Sequence, residues 1–201
     1  MDSKTLFANT PPGRLFFMAA LPGSIGMLAS ALYQLIDGIL VGQVLGEAAF
    51  AAINLAMPFV IINFALADLV GVGSSVPIAV RLGQGDEKAA NNIFTCACLL
   101  IVGTGALLGA VLFLAAPLLM ALMGAEGELA SLATLYLRVY ALFSPVTTII
   151  FASDNYLRIC GKIRMSMWLN ILMSILTGLL EFTLLVVLDC GIWAAALASS
   201  L

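Results

Sequence analysis

The sequence predicts an all-α integral membrane protein: a helical bundle of five full spans plus a truncated sixth. Three observations carry that prediction. Apolar residues make up 63% of the 201 residues and charged residues only 9%, against roughly 45–50% and about 25% in ordinary globular domains. A water-soluble fold of this size could not hide so much apolar surface, whereas lipid solvates it. Five apolar stretches are each long enough to supply the roughly 20 residues a helix needs to cross the hydrocarbon core. Finally, the charges sort by side. The first, third and fifth hydrophilic segments carry Lys4 and Arg14, then Arg81 and Lys88, then Arg158, Lys162 and Arg164. The intervening segments carry Glu47, then Glu126 and Glu128, then Asp189, with no Lys or Arg. Cytoplasmic loops retain basic residues, so the alternation predicts a polytopic chain with its N-terminus cytoplasmic.

The spans follow in order. The first, about 15–45, contains Pro22 and is far longer than a signal-peptide core, so it reads as a retained span. Gly23, Gly26, Ala29 and Ser30 give it a small-residue surface. The second, about 50–80, holds Pro58, Pro77 and the small residues Gly71, Gly73, Ser74 and Ser75. Gly83-Gln84-Gly85-Asp86 turns the chain into the third, about 93–123, with Gly103, Gly105, Gly109 and Pro117. Gly124 to Gly127 leads to the fourth, about 129–157, with Pro145; Gly161 leads to the fifth, about 165–188. Small residues let membrane helices approach closely. Proline is tolerated where neighbours satisfy the carbonyl it frees. The sixth segment, 191–201, covers only about 16 Å as helix, about half of a bilayer core. A sixth span has begun and is cut short, so the chain reads as a piece of a longer protein or a truncated product. If the parent is built from repeated halves, one half is here.

Several function classes are excluded. A net charge of −3 and the lack of a basic patch argue against nucleic acid. The chain has no His, the commonest metal ligand and general base, and no cofactor or metal is expected. Cys96 and Cys98 sit two apart within an apolar run, on different helix faces. Cys160 and Cys190 fall on opposite sides of the membrane, so no disulfide framework is expected.

The residues that could carry chemistry are the acids inside the spans. Asp37 lies in the first and Glu181 in the fifth, where a charge at mid-membrane costs about 3 kcal/mol on insertion scales. Asp37 precedes Glu47 by about ten residues, roughly 15 Å of helix, and Glu181 precedes Asp189 by about eight, roughly 12 Å. Both therefore lie in the outer half at similar height. If their helices are neighbours the carboxylates converge, and the pair could share a proton or hold a monovalent cation with backbone carbonyls. Gln34, about one turn before Asp37, is expected to face the same cavity. Asp68 lies in the inner half, where it is expected to pair with an inner Arg. Arg138, near the outer surface, is expected to pair with an acid in the bundle or to snorkel between Tyr136 and Tyr140. Asn54, with Asn63, Asn155 and Asn170, supplies interhelical hydrogen bonds or lines a cavity. Paired intramembrane carboxylates also suit a protease, but no second Asp stands in a Gly-x-Gly-Asp setting. No enzyme activity is expected.

The order of these pieces resembles the N-terminal half of the multidrug and toxic compound extrusion (MATE) transporters. The resemblance rests on Ala20-Leu21-Pro22, Ile36-Asp37-Gly38-Ile39-Leu40-Val41-Gly42, Leu45-Gly46, Ala51-Ala52-Ile53-Asn54 and Met57-Pro58. It continues through Gly71-Val72-Gly73-Ser74-Ser75, Gly83-Gln84-Gly85, Tyr136-Leu137-Arg138, Leu157-Arg158-Ile159-Cys160-Gly161 and Ala194-Ala195-Ala196-Leu197-Ala198-Ser199. It covers essentially the whole chain. What it implies is one lobe of a two-lobe, twelve-helix antiporter in a bacterial-type plasma membrane. Such a protein exports drugs or organic cations in exchange for protons or sodium ions, and the missing C-terminal lobe would be its partner. The family's ion-coupling acid falls on Asp37. Its fifth helix often carries an Asn and, one turn on, an Asp; here those positions are Glu181 and Leu185, a departure. The small hydroxyl of the sixth helix falls near Ser199. A phosphate-holding lipid-precursor flippase of similar fold would need cationic cavity residues, for which Arg138 is the sole candidate.

Overall fold

The computed structural model describes residues 11–188 and 190–200, without the side chains of residues 12, 15, 18, 19 and 151. The charge markers Lys4 and Asp189, and Leu201, lie outside the described residues. No strand occurs among the described residues. Five long helices run Pro12–Val44 (α1), Glu47–Gly83 (α2), Glu87–Leu122 (α3), Gly127–Ile159 (α4) and Ile163–Phe182 (α5). A π-helical turn, Thr183–Val187, extends α5, and a short helix, Ile192–Ser199 (α6), follows. All five long elements, α5 with its extension, are long and apolar enough to cross a membrane.

The helices run past the apolar stretches because their ends are built from polar and glycine signals. The helix α3 starts six residues before Ile93 because Asp86 caps it, its carboxylate accepting from the Ala89 N–H at 3.0 Å. At 33 to 37 residues, α1 and α2 are about 50–55 Å long at 1.5 Å per residue, so their polar ends reach past a core of about 30 Å. Three of them end in one way. Asp86 N–H donates to Arg81 and Gly85 N–H to Leu82; Ala125 and Gly124 repeat the pattern on Met120 and Ala121, and Lys162 and Gly161 on Leu157 and Arg158. This Schellman arrangement needs a left-handed residue, and Gly85, Gly124 and Gly161 supply it with φ of 81°, 79° and 76°.

The helix α4 is central and packs most extensively against α3 and α2, while α1 pairs with α5 and α6 lies against α4 and α5. Two apolar clusters fill the bundle. One, toward the α1–α2 turn, includes Val41, Ala56, Leu112, Met120, Tyr136, Leu185 and Ala195; the other, toward the α2–α3 turn, includes Ala67, Ile78, Ala97, Ile101 and Ala152. Between them lies a polar layer. Asn63 Nδ2 donates to Tyr140 Oη at 2.9 Å and to Ser144 Oγ at 2.7 Å, and Ser144 in turn donates to the Gly105 carbonyl at 2.9 Å. Gly105 and Gly109 make this closeness possible: a Cβ on Gly109 would sit 2.5 Å from the Ala141 carbonyl oxygen. These two glycines therefore set the α3–α4 separation.

The five predicted prolines all sit inside helices. Pro117 explains where Arg138 goes. A proline has no N–H, so the Phe113 carbonyl, four residues back, loses its helical donor. Arg138 Nε donates to that carbonyl at 3.3 Å, and its guanidinium lies 5.4 Å from the centre of the Phe113 ring. The expected acid partner and the position between two tyrosines are both corrected: Tyr136 and Tyr140 turn inward, 2% and 1% exposed. Asp68 is corrected too. It accepts from Asn155 Nδ2 at 2.7 Å, and the nearby Arg158 instead pairs with Asp154 at 2.6 Å. Asp154 also accepts from Ser166 and from Asn170. A polar clamp thus joins α4 to α5 at the basic end.

Candidate functional site

The acids of α1 and α5 meet because those helices pair along their length. Asp37 is one turn beyond Tyr33 on α1, and both face α5. Asp37 lies close enough to Glu181 for the two carboxyls to interact electrostatically. Tyr33 Oη donates to Glu181 Oε2 at 3.0 Å. Glu181 is 0% exposed, and its Oε1 receives no donor. A fully buried carboxyl with one oxygen unanswered is costly unless something else compensates it.

The helices α4 and α6 close the site from the other side. Tyr136 lies within electrostatic range of both carboxyls and of Tyr33. Its hydroxyl is 3.2 Å from Ser199 Oγ. Ser199 gives its proton to the Ala196 carbonyl at 3.1 Å, so the tyrosine is the donor in that pair. A second hydrogen bond, from Thr147 Oγ1 to the Ser200 carbonyl at 2.8 Å, holds α6 against α4. The result is a carboxyl pair flanked by the hydroxyls of Tyr33 and Tyr136. Two adjacent carboxyls in an apolar surrounding cannot both be anionic without a compensating cation. A proton or a small monovalent cation between them meets that need.

The sequence-predicted residues divide. Asp37, Glu181 and Ser199 come together around Tyr33 and Tyr136. Gln34 is exposed and lies off the face that Tyr33 and Asp37 share. Asn54 is exposed and gives its amide to its own helix, to the Phe50 carbonyl at 2.8 Å. Asp68 sits apart from the pair, with Asn155. Leu185, one turn beyond Glu181, is 1% exposed within the apolar cluster that also holds Val41 and Tyr136, so no second acid stands there. Sequence reasoning missed Tyr33, although its i,i+4 spacing from Asp37 was readable. It passed over Tyr136 in favour of Arg138. It also missed Asp154, whose i,i+4 relation to Arg158 was equally visible.

Comparison with known proteins places this arrangement. The family model described as MatE matches residues 22–183. The multidrug export protein MepA of Staphylococcus aureus strain MRSA252 is 28% identical over 199 residues, covering 97% of this chain and 43% of that protein. A crystal structure of MATE in complex with MaD3S superposes with a TM-score of 0.90 at 30% identity, covering 100% of this chain and 45% of the other. A MOP superfamily transporter from Pyrococcus furiosus gives 0.85 at 30%, covering 100% and 44%. The chain thus spans somewhat less than half the length of the curated relatives it matches. With the family model covering most of its spans and one lobe of the solved structures superposing throughout, the chain belongs to the MatE family of membrane transporters.

Proposed function

We propose that this chain forms the ion-coupling lobe of a secondary antiporter that exports drugs or other cationic and amphipathic small molecules. A proton or sodium ion is held between Asp37 and Glu181. The observation that carries the reading is the buried Glu181 carboxyl, held by Tyr33 with one oxygen unanswered and with the Asp37 carboxyl beside it, at the junction of four helices. While the ion is bound, the pair is compensated and α1 can stay against α5. Ion binding from the far side accompanies cargo release there, and loss of the ion to the cytoplasmic side leaves uncompensated charges that favour a rearrangement of α1 relative to α5 and renewed cargo binding. Tyr33 and Tyr136 orient the carboxyls and exclude competing cations by filling the space around them. The membrane is a plasma membrane, with the basic loops and the N-terminus cytoplasmic. The flippase alternative loses its basis, because Arg138 is committed to the Phe113 carbonyl and ring.

The test is Asp37→Asn in the full-length transporter. The amide keeps the shape of the side chain but can no longer exchange a cation. Drug resistance in a sensitised host is expected to fall to the vector level with expression unchanged. Wild-type efflux in that variant sinks the proposal.

A further inference from the structure

We propose that Arg14 and Arg164 form a docking site for the phosphate headgroup of an anionic phospholipid, in the leaflet at the basic end of the bundle. This site is remote from the carboxyl pair and independent of the ion-coupling reading. Arg14 lies in the first turn of α1 and Arg164 in the first turn of α5, two helices that pair and run in the same direction. The two guanidiniums line one cavity of about 280 Å³ with Phe17, Leu21 and Pro22. Among the described residues the recorded ion pair uses Arg158 and Asp154, and neither Arg14 nor Arg164 is in one. Two cations sharing a cavity repel each other unless an anion lies between them. A phosphate answers both, because each guanidinium offers a planar fork to its oxygens.

The surroundings favour a lipid over a free anion. Phe17 and Leu21 are exposed and form an apolar wall directly above the charges. Leu21, Ile25, Leu28 and Leu32 continue that exposed surface at helical spacing along α1, a track for an acyl chain. Trp168, one turn beyond Arg164 on the same face, is exposed as well. Aromatic side chains of this kind settle at the level of the headgroups. The charge lies where a phosphate would be and the apolar wall where the chain would run.

Native mass spectrometry of the full chain in mild detergent tests this, with dioleoyl-phosphatidylglycerol or dioleoyl-phosphatidylcholine added. One phosphatidylglycerol per chain is expected to persist, with phosphatidylcholine bound at least tenfold more weakly. R14Q/R164Q is expected to lower phosphatidylglycerol occupancy at least tenfold. R81Q/K88Q, which removes equal charge from the α2–α3 turn at the same end, is expected to leave it unchanged. Undiminished binding by R14Q/R164Q overturns the site. An equal loss in R81Q/K88Q shows only general surface charge, and displacement by equimolar inorganic phosphate shows a free-anion site; either overturns it. If R14Q/R164Q does not stay monodisperse, R14K/R164K keeps the charge but loses the fork. A several-fold loss is then expected, and no loss overturns the proposal.

Discussion

At the scale of the residue, the chemistry rests on which side chain answers Glu181. Its carboxyl is withdrawn from lipid and water alike, and its Oε2 is held by the Tyr33 hydroxyl at 3.0 Å. A hydrogen bond to a charged group contributes about 1.5–3 kcal/mol. Tyr33→Phe removes that donor without altering ring packing. The expected outcome is a partial phenotype: resistance clearly below wild type but above Asp37→Asn, with protein levels retained. Resistance equal to wild type would show that Tyr33 only fills space. Tyr33 and Gln34 precede Asp37 by four and three residues, and both spacings place a side chain near it on a helix. Spacing alone does not choose between them. The position of α5 does, because it covers the Tyr33 side of α1 and leaves Gln34 exposed.

At the scale of the element, one break in helical regularity has an identifiable partner. In the Pro117–Phe113–Arg138 arrangement, a carbonyl freed on α3 is answered from α4. Arg138→Met leaves that carbonyl without its side-chain donor, at an expected cost of about 1–2 kcal/mol, read as a lower melting temperature in detergent. Pro117→Ala restores a backbone donor to the same carbonyl. In the Pro117→Ala background, Arg138→Met should therefore cost much less. A double-mutant cycle with no coupling would mean that the guanidinium acts through the Phe113 ring alone. The turns were readable because their glycine signals are local, at Gly85, Gly124 and Gly161, whereas the start of α3 was placed at about 93 because the cap at Asp86 precedes its apolar run. The π-helical turn after Phe182 was not readable. It is a one-residue widening, with Leu188 N–H donating to the Thr183 carbonyl at 3.0 Å, and no residue type in Thr183–Val187 signals it.

At the scale of the whole molecule, the apolar outside marks a membrane-facing surface and the sorted charge predicts an orientation. Leu99, Leu107, Leu114 and Leu118 of α3, with Trp168, Leu172 and Leu176 of α5, are exposed, a surface that lipid can solvate and water cannot. The basic loops lie at one end and Glu47, Glu126 and Glu128 at the other. In a cysteine-free variant, Glu126→Cys should react with a membrane-impermeant maleimide on intact cells, and Lys162→Cys only after lysis. The reverse pattern would invert the proposed topology. Five spans and their charge alternation were legible because hydropathy and loop charge are summed along the chain, with no need to know which helices touch.

The sequence by itself determined the class of the protein, its spans, its turns and the two acids worth watching. Transfer of apolar residues into lipid and the energetic exclusion of charge from it act on each segment separately. Only the tertiary structure decided that Asp37 meets Glu181, that Tyr33 and Tyr136 ring them, and that Asp68 and Asn54 stand apart. Those outcomes depend on how each helix is rotated against its neighbours. That rotation is set by close approaches such as Gly109 against Ala141 and by side chains that answer one another across helices, which no one-dimensional pattern encodes.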